Sequence, residues 1–144
     1  APASPRRLPE KLEGTRVLVV DDNPAAREIL GGALRDFDLV VDMASGGNEA
    51  LAAIRASDDQ QPYKVIFTDW NMPGMDGIET LQALKDIRED IPVVIMSGHG
   101  TIETAVAAIR VGAYDFVTKP YLASDLVRRV AAAASGNPVA IPLP

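Results

Sequence analysis

The sequence predicts an α/β fold: an open, doubly wound sheet of five parallel strands with a helix after each. Three observations carry that reading. Short β-branched runs alternate with longer stretches of helical periodicity, the pattern of repeated βα units. Val17-Leu18-Val19-Val20, Val65-Ile66-Phe67-Thr68 and Val93-Val94-Ile95-Met96 are almost continuously apolar, as strands covered on both faces must be. Acidic residues close two of these runs, Asp21 and Asp22 after the first and Asp69 at the end of the second.

The elements follow in order. The first strand is expected over Arg16–Asp21, and the next helix is signalled by Asn23 as N-cap with Pro24 at the first helical position. Its Ile29, Leu30, Ala33 and Leu34 make an apolar stripe. The second strand, Leu39–Met43, contains Asp42 and so reads as peripheral; a helix over Gly47–Ala56 follows. The third strand is Lys64–Asp69, and the loop through Gly74 and Gly77 leads to a helix over Ile78–Arg88. Pro92–Met96 and Asp115–Thr118 are the last two strands, followed by helices over Ile102–Val111 and Ala123–Ala134, with Ser124 an alternative cap for the latter. The proline-bearing ends, residues 1–14 and 135–144, read as linkers around a domain spanning 15–134.

At 144 residues the chain is one domain, and a chain of that length buries about 68–70% of its unfolded surface. The absence of cysteine excludes disulfides, thiolate metal sites and thiol nucleophiles, and fits a cytoplasmic setting. A formal net charge of -6 argues against nucleic acid as a direct partner, since phosphate contacts need a basic face. No apolar stretch nears the ~20 residues that span a bilayer, so no membrane contact by this domain is expected.

In a doubly wound sheet ligands bind at the carboxyl ends of the strands where strand order reverses, and the acidic residues fall there. Two unit charges ~5 Å apart repel by roughly 3 kcal/mol at an effective dielectric near 20, so the cluster proposes a hard divalent cation with oxygen ligands. Further candidates lie at other strand ends: Ser97, Lys119 with Pro120, and Asn71, two residues after Asp69. A hydroxyl and an ammonium beside a carboxylate-bound cation suit a phosphoryl group, and a carboxylate can itself attack phosphorus to form an acyl phosphate. Taken singly, each has an ordinary reading: Asp21 and Asp22 as caps, Asn71 as a turn former, Lys119 as a surface lysine. The full constellation favours the chemical one. His99, the only histidine, reads as a loop residue near Ser97 and not as a phosphohistidine.

From about Thr15 to Ala134 the sequence resembles the receiver (CheY-like) domain of two-component response regulators. The resemblance rests on Val19-Val20-Asp21-Asp22-Asn23, on Asp69-Trp70-Asn71-Met72-Pro73-Gly74-Met75-Asp76-Gly77, on Met96-Ser97-Gly98, and on Gly112-Ala113-Tyr114-Asp115-Phe116-Val117-Thr118-Lys119-Pro120. It implies a flavodoxin-like strand order 2-1-3-4-5. It implies that Asp69 is the phosphoacceptor and that Mg²⁺ is held by Asp22, Asp69 and the backbone carbonyl of Asn71, with Asp21 acting through water. Ser97 would bind the phosphoryl group, Lys119 would bridge to it, Pro120 would follow a cis peptide, and Phe116 would be the switch aromatic. Tyr121 departs from the phenylalanine that often follows the Lys-Pro pair.

The function so implied is a signalling switch and not a turnover enzyme. Asp69 takes a phosphoryl group from the phosphohistidine of a histidine kinase or histidine phosphotransfer domain, the face made by the fourth helix, fifth strand and fifth helix changes, and hydrolysis resets it. A metal-dependent phosphatase of the haloacid dehalogenase type would need a second carboxylate two residues after its nucleophile, where this chain has Asn71. A phosphorylation-independent binding module would have no need of the acidic and Lys-Pro positions. Leu12-Glu13-Gly14-Thr15-Arg16 looks like the entry to receivers of hybrid histidine kinases. The stretch from Ser97 to Val106 looks like receivers that precede transcriptional effectors. A kinase or an effector domain in the parent chain is thus expected.

Overall fold

The computed structural model describes residues 14–57, 62–70, 77–98, 102–119 and 121–134. Five strands, β1 (Arg16–Val20), β2 (Val40–Ala44), β3 (Val65–Asp69), β4 (Val93–Ser97) and β5 (Asp115–Thr118), form one parallel sheet in the order β2-β1-β3-β4-β5. The helices are α1 (Pro24–Arg35), α2 (Gly47–Ala56), α3 (Gly77–Ile87), α4 (Ile102–Val111) and α5 (Ala123–Ala134). This is the expected flavodoxin-like fold. Differences are confined to element ends: β1 stops at Val20, one residue before Asp21, while β4 runs on to include Ser97. Asp42 does lie on an edge strand.

Alternation along the strands sends side chains to two separate cores. Leu18, Val20, Ile66, Val93 and Ile95 face α2, α3 and α4, packing on Ile54, Leu81, Leu84 and Ala108. Val17, Val19, Val65, Phe67, Val94 and Met96 face α1 and α5, packing on Leu30, Leu34, Leu126, Val127 and Val130. Every residue of the central strands β3 and β4 is buried, as their apolar sequences require.

Local chemistry fixes where helices begin and end. The Asn23 side chain accepts hydrogen bonds from the backbone N–H groups of Ala25 (2.9 Å) and Ala26 (3.2 Å), with Pro24 at the first helical position, so α1 starts immediately beyond the acidic pair. Gly31, inside α1, lies against β2, where an added Cβ would collide with the Met43 side chain. Gly112 ends α4 at φ +120°, a conformation that favours glycine. Arg16 and the Tyr63 hydroxyl both donate to Asp42 Oδ2, at 2.6 Å each, while the Arg16 guanidinium stacks 4.5 Å from the Tyr63 ring centre. Burial pushes Asp42 upward, but these donors outweigh it and hold the carboxyl below its ordinary value; burial and Asp42 push Tyr63 up to about 12. Among the described residues no helix is long and apolar enough to cross a membrane.

Candidate functional site

Pairing of β1 with β3 puts Val20 beside Thr68, so the residues just past the end of β1 meet the last residue of β3. Asp21, Asp22 and Asp69 each place a carboxylate oxygen within 4.8 Å of the others. Asp21 and Asp69 are buried and Asp22 is exposed, so the trio opens to solvent on one side.

Lys119 answers this charge from the end of β5. Its Nζ donates to Asp69 Oδ1 at 3.1 Å and approaches Asp21 Oδ2 at 3.4 Å. The position is fixed from below, because the Lys119 backbone N–H donates to the Ser97 carbonyl at 2.7 Å. That bond also brings the ends of β4 and β5 together, with Ser97 buried at the same rim. Burial, then the neighbouring charges of Asp21 and Asp22, push Asp69 above the ordinary carboxylate value in spite of Lys119. Burial works against the Lys119 ammonium, but Asp69 and Asp21 outweigh it and hold its pKa above normal. When all are ionised, three carboxylates face one ammonium. The donor set is all oxygen, open on the Asp22 side and short of positive charge, which fits a hard divalent cation and not a soft one.

The loop carrying Asp21 and Asp22 is held from several directions. Asp21 N–H donates to the Ala44 carbonyl at 3.1 Å, Asn23 N–H donates to Asp21 Oδ1 at 3.0 Å, and Arg27 Nη1 donates to the Asp21 carbonyl at 2.8 Å. Nothing in the sequence singles out Arg27, since an arginine in the first turns of a helix is ordinarily a solvated residue. Phe116 is half-buried on the α4 side of the sheet, and Trp70, next to Asp69, meets it edge-on with ring centres 6.1 Å apart. Tyr121 packs on the opposite core near enough to feel the charges of Lys119, Asp21 and Asp69, although burial is the main cause of its raised pKa. Asn71, His99 and Pro120 lie outside the described residues. The structure therefore brings together Asp21, Asp22, Asp69 and Lys119, with Ser97 at the adjoining strand end, and sets Phe116 one strand pair away.

A doubly wound α/β domain with an acidic trio and one lysine at its switch-point crevice defines a class of ligand-binding single domains. Comparison with known proteins narrows the class. The family model for the response regulator receiver domain matches residues 17–131, and the chain belongs to that family. It is 43% identical over 113 residues to the nitrogen assimilation regulatory protein NtrX of Azorhizobium caulinodans, covering 77% of this chain and 24% of that protein. It is 31% identical over 138 residues to the transcriptional regulatory protein TcrA of Mycobacterium tuberculosis, covering 96% of this chain and 53% of that one. The chain thus spans about a quarter to a half of these relatives. Among solved structures, the receiver domain of NtrX from Brucella abortus superposes with a TM-score of 0.74 at 40% identity, covering 83% of this chain and 98% of that domain.

Proposed function

We propose that this receiver domain accepts a phosphoryl group on Asp69 from the phosphohistidine of a histidine kinase or histidine phosphotransfer domain. The observation that carries the reading is the Lys119 ammonium set between Asp69 and Asp21 beside the exposed Asp22. Lys119 engages Asp69 Oδ1, which leaves Oδ2 as the attacking oxygen. In the transfer, an Oδ2–P bond forms as the P–N bond to the donor imidazole breaks, and the imidazole keeps the electron pair and takes up a proton. Mg²⁺, held by Asp22, Asp69 and the Asn71 carbonyl and by Asp21 through water, would supply neutralisation of the carboxylate and phosphoryl charge. Lys119 contributes a fixed positive charge where the phosphoryl oxygens gather, and Ser97 contributes a hydroxyl at the same rim.

Switching follows from the Ser97–Phe116 arrangement. A hydroxyl that turns toward a phosphoryl oxygen leaves space on its far side, and an aromatic on the neighbouring strand can enter it. The surface so altered is that of α4, β5 and α5, including Arg110, Val111 and Tyr114. Relatives named as transcriptional regulators favour an effector domain in the parent chain over a hybrid kinase. A phosphohistidine donor implies a cytoplasmic setting for the domain.

The test is Mg²⁺-dependent labelling with acetyl phosphate, with the adduct located by borohydride trapping. Labelling at Asp69 that disappears in Asp69→Asn is expected. Undiminished labelling of that variant, or labelling without a divalent cation, refutes the proposal.

A further inference from the structure

We infer that Arg27 is a positioning residue for the metal-binding loop, an inference that rests on the phosphoacceptor function proposed above. Arg27 lies in α1, a turn beyond its Asn23 cap, with its backbone N–H on the Asn23 carbonyl at 3.0 Å. Its half-buried side chain turns back along the helix, and Nη1 donates to the Asp21 carbonyl at 2.8 Å. That carbonyl belongs to the peptide joining Asp21 to Asp22. On either side the loop is already tied, by Asp21 N–H to Ala44 and by Asn23 N–H to Asp21 Oδ1. Rotation of the Asp21–Asp22 peptide about its flanking bonds is the freedom these ties leave, and among the described residues Arg27 is the group that opposes it. Such a rotation swings the Asp22 carboxylate, which is exposed and carries no burial to hold it.

Charge and geometry predict opposite results when Arg27 is changed. Arg27 is a cation next to a site for a dication, and its charge also reaches Glu49 at the start of α2. Removing a nearby positive charge tightens cation binding by Coulomb's law. Removing a partner that orients a ligand loosens it, typically by 10–100-fold. The sign of the change therefore separates a positioning residue from a bystander. Arg35 supplies a control: it makes the same kind of bond, from the far end of α1 to the Val41 carbonyl at 2.9 Å, remote from the acidic rim.

The experiment titrates Mg²⁺ into the wild type, Arg27→Met, Arg27→Lys and Arg35→Met, following Trp70 fluorescence. Backbone amide relaxation is recorded on the metal-free proteins. Arg27→Met should bind Mg²⁺ about tenfold or more weakly, Arg27→Lys should recover part of the loss, and Arg35→Met should bind as the wild type does. The metal-free Arg27→Met protein should show added exchange broadening at Asp22 and Asn23 with other amides unchanged, which also reports that it is folded. Equal or tighter binding by Arg27→Met overturns the inference, as does an equal loss in Arg35→Met. Should the wild type show neither Mg²⁺ binding nor labelling at Asp69, the functional proposal fails, and the metal-free relaxation then decides whether Arg27 positions the loop.

Discussion

Replacing Asp69 by asparagine should make the domain more stable at neutral pH while abolishing its proposed chemistry. The oxygens of Asp21, Asp22 and Asp69 lie within 4.8 Å of one another, about 3.5 kcal/mol of repulsion per ionised pair at an effective dielectric near 20. The substitution removes both repulsions that involve Asp69. It also removes the attraction of Lys119 at 3.1 Å, about 5 kcal/mol on the same scale. After discounting for the exposure of Asp22 and the partial exposure of Lys119, the balance is a gain of about 1–2 kcal/mol, and relief of a buried charge acts in the same direction. For a domain of this size that is a rise in Tm of about 3–8 °C. The pH dependence has a definite sign. Burial raises the folded Asp69 above the ordinary 3.8, so the folded state holds this proton more tightly than the unfolded state does. The wild type keeps its full share of stability below 3.8 and loses it as pH rises through the raised value, whereas the asparagine variant has no such loss. The assay is thermal unfolding by circular dichroism in chelator, from neutral pH down to the onset of acid unfolding. The gap should close in acid, and Mg²⁺ at neutral pH should narrow it by stabilising the wild type through mass action. An asparagine variant less stable than wild type at neutral pH, or a gap that persists in acid, refutes the reasoning.

Four more outcomes are expected. Asp21 already has one oxygen on Asn23 N–H and the other facing Lys119, whereas Asp22 is exposed; Asp22→Ala should therefore weaken Mg²⁺ binding by more than about tenfold and Asp21→Ala by less, as read by Trp70 fluorescence. Ser97→Ala should still be labelled at Asp69 but should show smaller beryllofluoride-induced NMR shifts across Ile102–Val111 and Tyr114–Phe116; the full wild-type pattern would remove the hydroxyl from the switch. Arg129 Nε donates to Asp115 Oδ2 at 2.5 Å, with the Asp115 side chain only 4% exposed. Arg129→Met should accordingly destabilise the domain by about 3 kcal/mol in urea unfolding, with part of the loss recovered by adding Asp115→Asn. A Cβ added at Gly32 would meet nothing within 4 Å, whereas one at Gly31 would strike Met43; in thermal unfolding Gly32→Ala should therefore stabilise by up to about 1 kcal/mol and Gly31→Ala should not.

The sequence made the sheet legible because its signals are local and redundant. Asn23-Pro24 marks the start of α1, and continuous apolar runs mark β1, β3 and β4. The acidic ends of β1 and β3 fall together because these two strands pair in parallel. Strand ends shifted by a residue, as with Ser97 inside β4, because hydrogen-bond pairing and not composition sets where a strand stops. Contacts across the sheet were not legible. Trp70 and Phe116 meet over an intervening strand, and Arg129 reaches Asp115 from a different element. The role of Arg27 is not legible either, because it lies in the direction its side chain takes, which a helical pattern does not encode.

The sheet is also a partition. Phe116 and Trp70 pack in the layer of α2, α3 and α4, and alternation along β4 puts Ser97 on the same side as Val93 and Ile95, while α1 and α5 pack on a second core behind the strands. A rearrangement on the first side can loosen that layer and leave the packing of α1 intact. Amides in α4 should then exchange with solvent more readily on activation while those of α1 keep their protection, as two cooperative units of unequal stability. A partner gripping α1 would hold an unchanged handle throughout the proposed cycle, whereas a partner reading the α4 side would register which state the domain is in.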